Sequence, residues 1–125
     1  MRALRGVIVI VLALALPAPV LAADIQAGLE AYKRGDYATA LEELRPQAEQ
    51  SDASAQYTLG IMYAYGEGVA QDYVLAHMWF NLAVAHLPPD VIQKAAATQR
   101  YKIEGKMTPD QVAEAQRLAR EWKPK

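Results

Sequence analysis

Cysteine is absent from the 125-residue chain. No disulfide can therefore form, and neither a thiolate ligand nor a cysteine nucleophile is available. Histidine is almost absent: His77 and His86, nine residues apart, do not share one helical face, whereas metal sites need closely spaced ligands. No Gly-x-Ser-x-Gly, glycine-rich phosphate loop or His-Glu-x-x-His occurs. Adjacent Glu42 and Glu43 point apart on a helix, and Glu67 falls in a Gly-Glu-Gly loop where a solvated carboxylate is expected. Alternating β-branched residues are missing too, which argues against a sheet. Basic residues nowhere reach the density that nucleic acid demands. These absences lead us to expect no enzyme activity, no metal, no cofactor and no nucleic-acid partner.

One long apolar run is present, at the start. Arg2 and Arg5 precede ten apolar residues, Val7 to Leu16, followed by Pro17, Pro19 and Val20-Leu21-Ala22-Ala23. A positive start, a short apolar core and a small-residue end describe a secretory signal peptide over 1–22. The run is too short to span a bilayer comfortably. An exported protein, periplasmic or secreted, is expected, with no stable membrane insertion after cleavage. The remaining domain, 23–125, is charged unevenly: Asp24 to Asp90 holds 3 basic and 10 acidic residues, and Val91 to the end holds 8 basic and 4 acidic. Such complementary halves permit a homo-oligomer built head to tail.

Apolar residues recur with helical spacing almost throughout, so the domain is expected to be all-α, with helices near 24–34, 37–49, 52–65, 70–86, 91–104 and 109–123. The punctuation agrees. Gly35-Asp36, Ser51-Asp52, Gly66-Glu67-Gly68 and Pro88-Pro89-Asp90 break the pattern at each junction. Asp90 with Gln93 reads as a reciprocal cap, and Gly105 as a left-handed helix end. Thr108-Pro109-Asp110-Gln111 is a full start signal, opening a stripe of Val112, Ala115, Ala119 and Trp122 with Leu118 beside it.

Residues 28–44, "GLEAYKRGDYATALEEL", share their order with 60–83, "GIMYAYGEGVAQDYVLAHMWFNLA". Gly28 matches Gly60, Asp36-Tyr37 matches Asp72-Tyr73, and Ala40 matches Ala76. The second copy is longer by the Gly-Glu-Gly-Val loop. A recurring helix-turn-helix unit marks a solenoid, in which each hairpin covers its neighbour's apolar face.

With Ala55, Leu59-Gly60, Tyr63, Gly66, Gly68-Val69, Asp72, Ala76, Trp79 and Ala83, the second copy resembles a Sel-like repeat, a relative of the tetratricopeptide repeat. The first copy, with Gly28, Tyr32, Gly35-Asp36-Tyr37, Ala40 and Leu44, is similar to a plain tetratricopeptide unit. The ending "MTPDQVAEAQRLAREW" resembles the closing helix of small exported bacterial members. The resemblance implies a short α-solenoid, repeats near 24–50 and 52–87 and capping helices near 90–123. It further implies an adaptor that holds a protein or peptide segment, without common catalytic residues.

Within such a hairpin Gly60 and Ala76 are expected to be small because the helices approach closely there. Trp79, Leu82, Leu59 and Tyr63 would fill the core. The first helix of each pair would line the concave surface. By register that surface carries Leu29, Tyr32 and Lys33, then Tyr57, Ile61 and Tyr65, with aromatics suited to gripping a partner. Lys94, Arg100, Lys102 and Lys106 form a wet face or meet an acidic partner. The rival reading is a membrane-tethered or self-assembling structural scaffold.

Overall fold

The computed structural model describes residues 25–125; the expected signal segment lies outside the described residues. The described residues form six helices and no strand: α1 (Ile25–Lys33), α2 (Tyr37–Glu49), α3 (Ala53–Tyr65), α4 (Tyr73–His86), α5 (Val91–Glu104) and α6 (Pro109–Glu121). The described residues are all-α, as their periodicity predicts.

Side-chain caps explain where the helices start. Asp36, Asp52 and Asp72 each accept from a backbone N–H three residues on, at 3.3, 2.9 and 3.0 Å, which satisfies a donor with no partner inside the helix. Asp72 is why α4 starts at Tyr73 rather than near 70. Thr108 and Gln111 form the reciprocal capping box that their spacing predicts. Asp90 also caps, accepting from Ile92 and Gln93, but Gln93 does not reciprocate. Its amide turns to the carbonyls of Val84 and Leu87 at 2.9 and 3.2 Å and ties α5 to the end of α4.

Helix ends repeat one device. Gly35 (φ 81°) ends α1, and the N–H groups of Gly35 and Asp36 return to the Tyr32 and Ala31 carbonyls. Ser51 (φ 77°) ends α2 in the same way, with bonds from Ser51 and Asp52 back to Ala48 and Gln47. This is the left-handed terminator glycine usually provides, so Ser51 holds it under strain. Gly105 differs from expectation. Its φ is −64°, and the end of α5 is closed by Lys106 and Met107 donating three residues back.

Each helix packs on the one before it as far as α5, and α6 then returns to α4. Close approaches set the spacing. A Cβ on Gly60 would lie 2.5 Å from the Phe80 ring, and one on Gly28 would lie 2.7 Å from Leu44. The atoms nearest Gly60 thus belong to Phe80, one turn beyond the expected Ala76, which is itself fully buried. The core holds Leu44, Leu59, Met62, Tyr63, Trp79, Phe80, Leu82 and Ile103. Trp122, just past α6, meets Trp79 edge-on at 6.3 Å and His86 at 6.2 Å. Beyond it Lys125 returns to α2, its N–H donating to the Glu49 carbonyl at 2.8 Å.

Two substitutions should move stability in opposite directions in one urea titration. Gly60→Ala should cost about 1–3 kcal/mol, because the Phe80 ring must shift in a filled core. Ser51→Gly should gain roughly 0.5–1 kcal/mol by relieving the left-handed backbone. An unchanged midpoint for Gly60→Ala would show that the contact carries no constraint.

Candidate functional site

Helices α3 and α5 both pack on α4 but scarcely meet each other, which leaves a trough between them. At one end Ser54, Tyr57 and Thr58 of α3 face Val91, Ile92 and Ala95 of α5, with Leu29 of α1 at the side, around a cavity of about 280 Å³. At the other end Ala64 and Tyr65 face Gln99, Lys102, Ile103 and Lys106, with Gln71 and Tyr73 below, around about 110 Å³. Early residues of α3 meet early residues of α5, and late meet late. The two helices therefore run in the same direction along the trough.

The ends differ in chemistry. The first is apolar, with Val91 81% and Ile92 46% exposed, an unusual state for branched apolar side chains. The second carries two ammonium groups, and the buried Gln99 Oε1 has no hydrogen-bond partner there. Such an atom is costly to leave unpaired.

Of the residues expected on the concave surface, Leu29 and Tyr57 line the apolar end and Tyr65, 56% exposed, lines the basic end. Ile61 is half-buried against the core and Lys33 is exposed. Tyr32 is occupied within the chain: its hydroxyl donates to Glu67 Oε1 at 2.8 Å, and Tyr37 donates to Oε2 at 3.2 Å. The two rings lie 5.5 Å apart. Glu67 is thus not a solvated loop carboxylate, as its sequence setting suggests, but the clasp by which the Gly-Glu-Gly loop grips the first hairpin. Gly68 permits the approach, since a Cβ there would lie 2.8 Å from the Cβ of Tyr37.

These contacts act on the phenols. Burial first, and the Glu67 carboxylate second, push Tyr32 far above the ordinary phenol range. The Glu67 hydrogen bond is the largest influence on Tyr37 and raises it too. Tyr57 is raised by burial and then by the neighbouring Tyr65.

Two further polar clusters lie inside the helix packing. Arg100 donates to Asn81 Oδ1 at 2.6 Å, so the Asn81 amide nitrogen is the atom that faces His77 Nδ1 at 3.1 Å. Nδ1 is therefore the acceptor, and Nε2 carries the proton donated to Glu104 Oε1 at 2.7 Å. His77 is 1% exposed and both its nitrogens are engaged, an arrangement that ties α4 to α5. Fully buried Gln56 donates to the Ala48 carbonyl at 3.1 Å and accepts from His86 Nδ1 at 2.9 Å, joining α2, α3 and α4. Among the described residues no three His, Asp or Glu side chains converge as metal ligands. No helix among them is long and apolar enough to cross a membrane.

Val91, Ile92 and Ala95 are among the trough residues that sequence reasoning missed. A signal was present. Ala96 and Ile103, seven apart, mark the core face of α5, and Val91, five before Ala96, falls well off that face at 100° per residue. No family model, curated protein or solved structure matches the chain.

A phenol raised by folding keeps its proton where the unfolded chain loses it. The stability these tyrosines lend is complete below about pH 10 and is lost as pH climbs beyond it. Glu67→Gln should return Tyr37 toward the ordinary range and lower Tyr32 only in part, because burial of Tyr32 persists. An ultraviolet titration of phenolate, compared with the parent chain, measures this, and superimposable curves would remove the clasp.

Proposed function

We propose that the chain is a non-enzymatic docking module that binds a peptide or protein segment along the trough between α3 and α5. The observation that carries this reading is the apolar end, where Val91 and Ile92 stand exposed over a cavity of about 280 Å³ that also reaches Leu29 and Tyr57. Exposed apolar surface that is contiguous and concave is the usual form of a docking site. A rigid aromatic such as Tyr57 loses little freedom on contact.

The finer architecture belongs to the same proposal: a short solenoid of two Sel-like hairpins closed by α5 and α6. Its support is an internal match in packing. Gly28 lies against Leu44 as Gly60 lies against Phe80, and each of those partners is four residues past the matched Ala40 or Ala76. The surplus residues of the second copy fall in the loop that holds Glu67. We further propose export to the periplasm or beyond, with the mature chain starting at Ala23. The intact mass of the protein recovered from the cell envelope tests this, and retention of Met1 would defeat it.

Docking is tested by selecting displayed random peptides on the purified protein. The parent should enrich a peptide set that Val91→Asp/Ile92→Asp no longer retains, with both proteins giving the same helical circular dichroism. Loss of at least about tenfold in binding is expected when charge enters an apolar anchor site. Equal retention by the variant would eliminate the trough as the docking surface.

A further inference from the structure

We propose that the segment taken by the trough is extended and two-headed, an apolar side chain at one end and a carboxylate four residues away at the other. This rests on the docking reading above and adds the chemistry of the partner.

The apolar end is built by Tyr57, Val91 and Ile92. The other end presents Lys102 and Lys106 beside a cavity of about 110 Å³. Neither lysine takes part in an ion pair among the described residues. Arg100, by contrast, is committed to Asn81. A carboxylate suits two adjacent ammonium groups, and it would be held without removing either from water.

Spacing supplies the second requirement. The centres of the two ends lie some nine residues apart on α5, roughly 14 Å at 1.5 Å per residue. An extended chain covers that in about four residues, and an even separation directs both side chains to one face. An apolar residue at i and an acidic one at i+4 therefore reach both ends from one strand. A helical segment, at about 6 Å for the same separation, would not.

The test uses fluorescein-labelled peptides on the full folded protein, read by anisotropy. One set has leucine and glutamate four apart in a serine-threonine background, in either order. The others replace glutamate by glutamine or leucine by serine. The leucine-glutamate peptide should bind about fivefold more tightly than its glutamine counterpart, with the difference shrinking as salt rises. Lys102→Ala/Lys106→Ala should bind both equally, at the weaker level. Equal binding of the two by the parent, with leucine still required, would overturn the two-headed segment and leave trough docking intact. No binding by any peptide, or indifference to leucine, would overturn both.

Discussion

Helix α4 has almost no side to give to water. Ala76, His77, Met78, Trp79, Phe80, Leu82 and Ala83 are all buried within its 14 residues, a distribution that points in every direction around the axis rather than along one stripe. Such a helix must be covered on all sides, and in this chain α3, α5 and α6 do the covering. The contact of Gly60 with the Phe80 ring fixes how near α3 can lie. His77 to Glu104 fixes α5 from another side, and Trp79 receives Trp122 from a third. The trough follows from this arrangement. Two helices that pack on the same central rod, rather than on each other, leave a channel walled by their own outward faces, with Leu29 at its apolar end and Gln71 and Tyr73 at its basic end.

Polar contacts orient the packing, which burial alone does not. Apolar area is indifferent to rotation of one helix against another by a few degrees, whereas a hydrogen bond inside the structure is not. Glu67 reaches both Tyr32 and Tyr37, so the loop between α3 and α4 is registered against the first hairpin. Gln56 touches a carbonyl of α2 and an imidazole of α4 at once. Leaving any of these groups unpaired would cost more than a neutral pairing contributes, which gives the arrangement its selectivity. Because α1 is registered in this way, Leu29 closes the apolar end of the trough and Tyr32 is withheld from it.

Local chemistry was legible in the sequence and distant chemistry was not. Asp52 and Thr108 announce helix starts because a capping side chain meets an N–H three residues away, a relation visible in a line of text; Asp72 makes the same bond, yet the apolar spacing alone places the start of α4 near 70. The order shared by 28–44 and 60–83 announces two hairpins for the same reason. Glu67 gives no such sign. Its partners lie 30 and 35 residues back, and nothing near a Gly-Glu-Gly loop distinguishes a clasp from a solvated side chain. His77 and Glu104 are 27 residues apart and equally mute. Gln93 had a plausible local partner in Asp90, and the carbonyls of Val84 and Leu87 at the fraying end of α4 took it instead. Of the candidate contact residues, Tyr57 and Tyr65 reach the trough because their eight-residue spacing keeps them near one side of α3. The opposite wall, Val91 and Ile92, depends on how α5 is rotated about its axis, and that rotation is set by the long-range bonds.

Charge distribution bears on whether the molecule docks a partner or binds its own copies. The acidic front and basic tail that favour head-to-tail association are partly spent inside one chain. Lys125 lies 3.3 Å from Glu49 and its backbone is bonded there as well, while Arg117 is shared between Glu114 and Glu121 on its own helix. Lys102 of α5 and Lys106 just past its end have no ion pair among the described residues, and both line the basic end of the trough with Gln99. Exposed ion pairs contribute little individually, so charge of this kind selects and orients a partner more than it holds one. In the proposed docking the holding falls to the apolar end, where Val91 and Ile92 lose unfavourable contact with water when covered. In the proposed docking, affinity at one end and polarity at the other would let a small helical surface prefer one sequence pattern over the many segments with a greasy residue to offer.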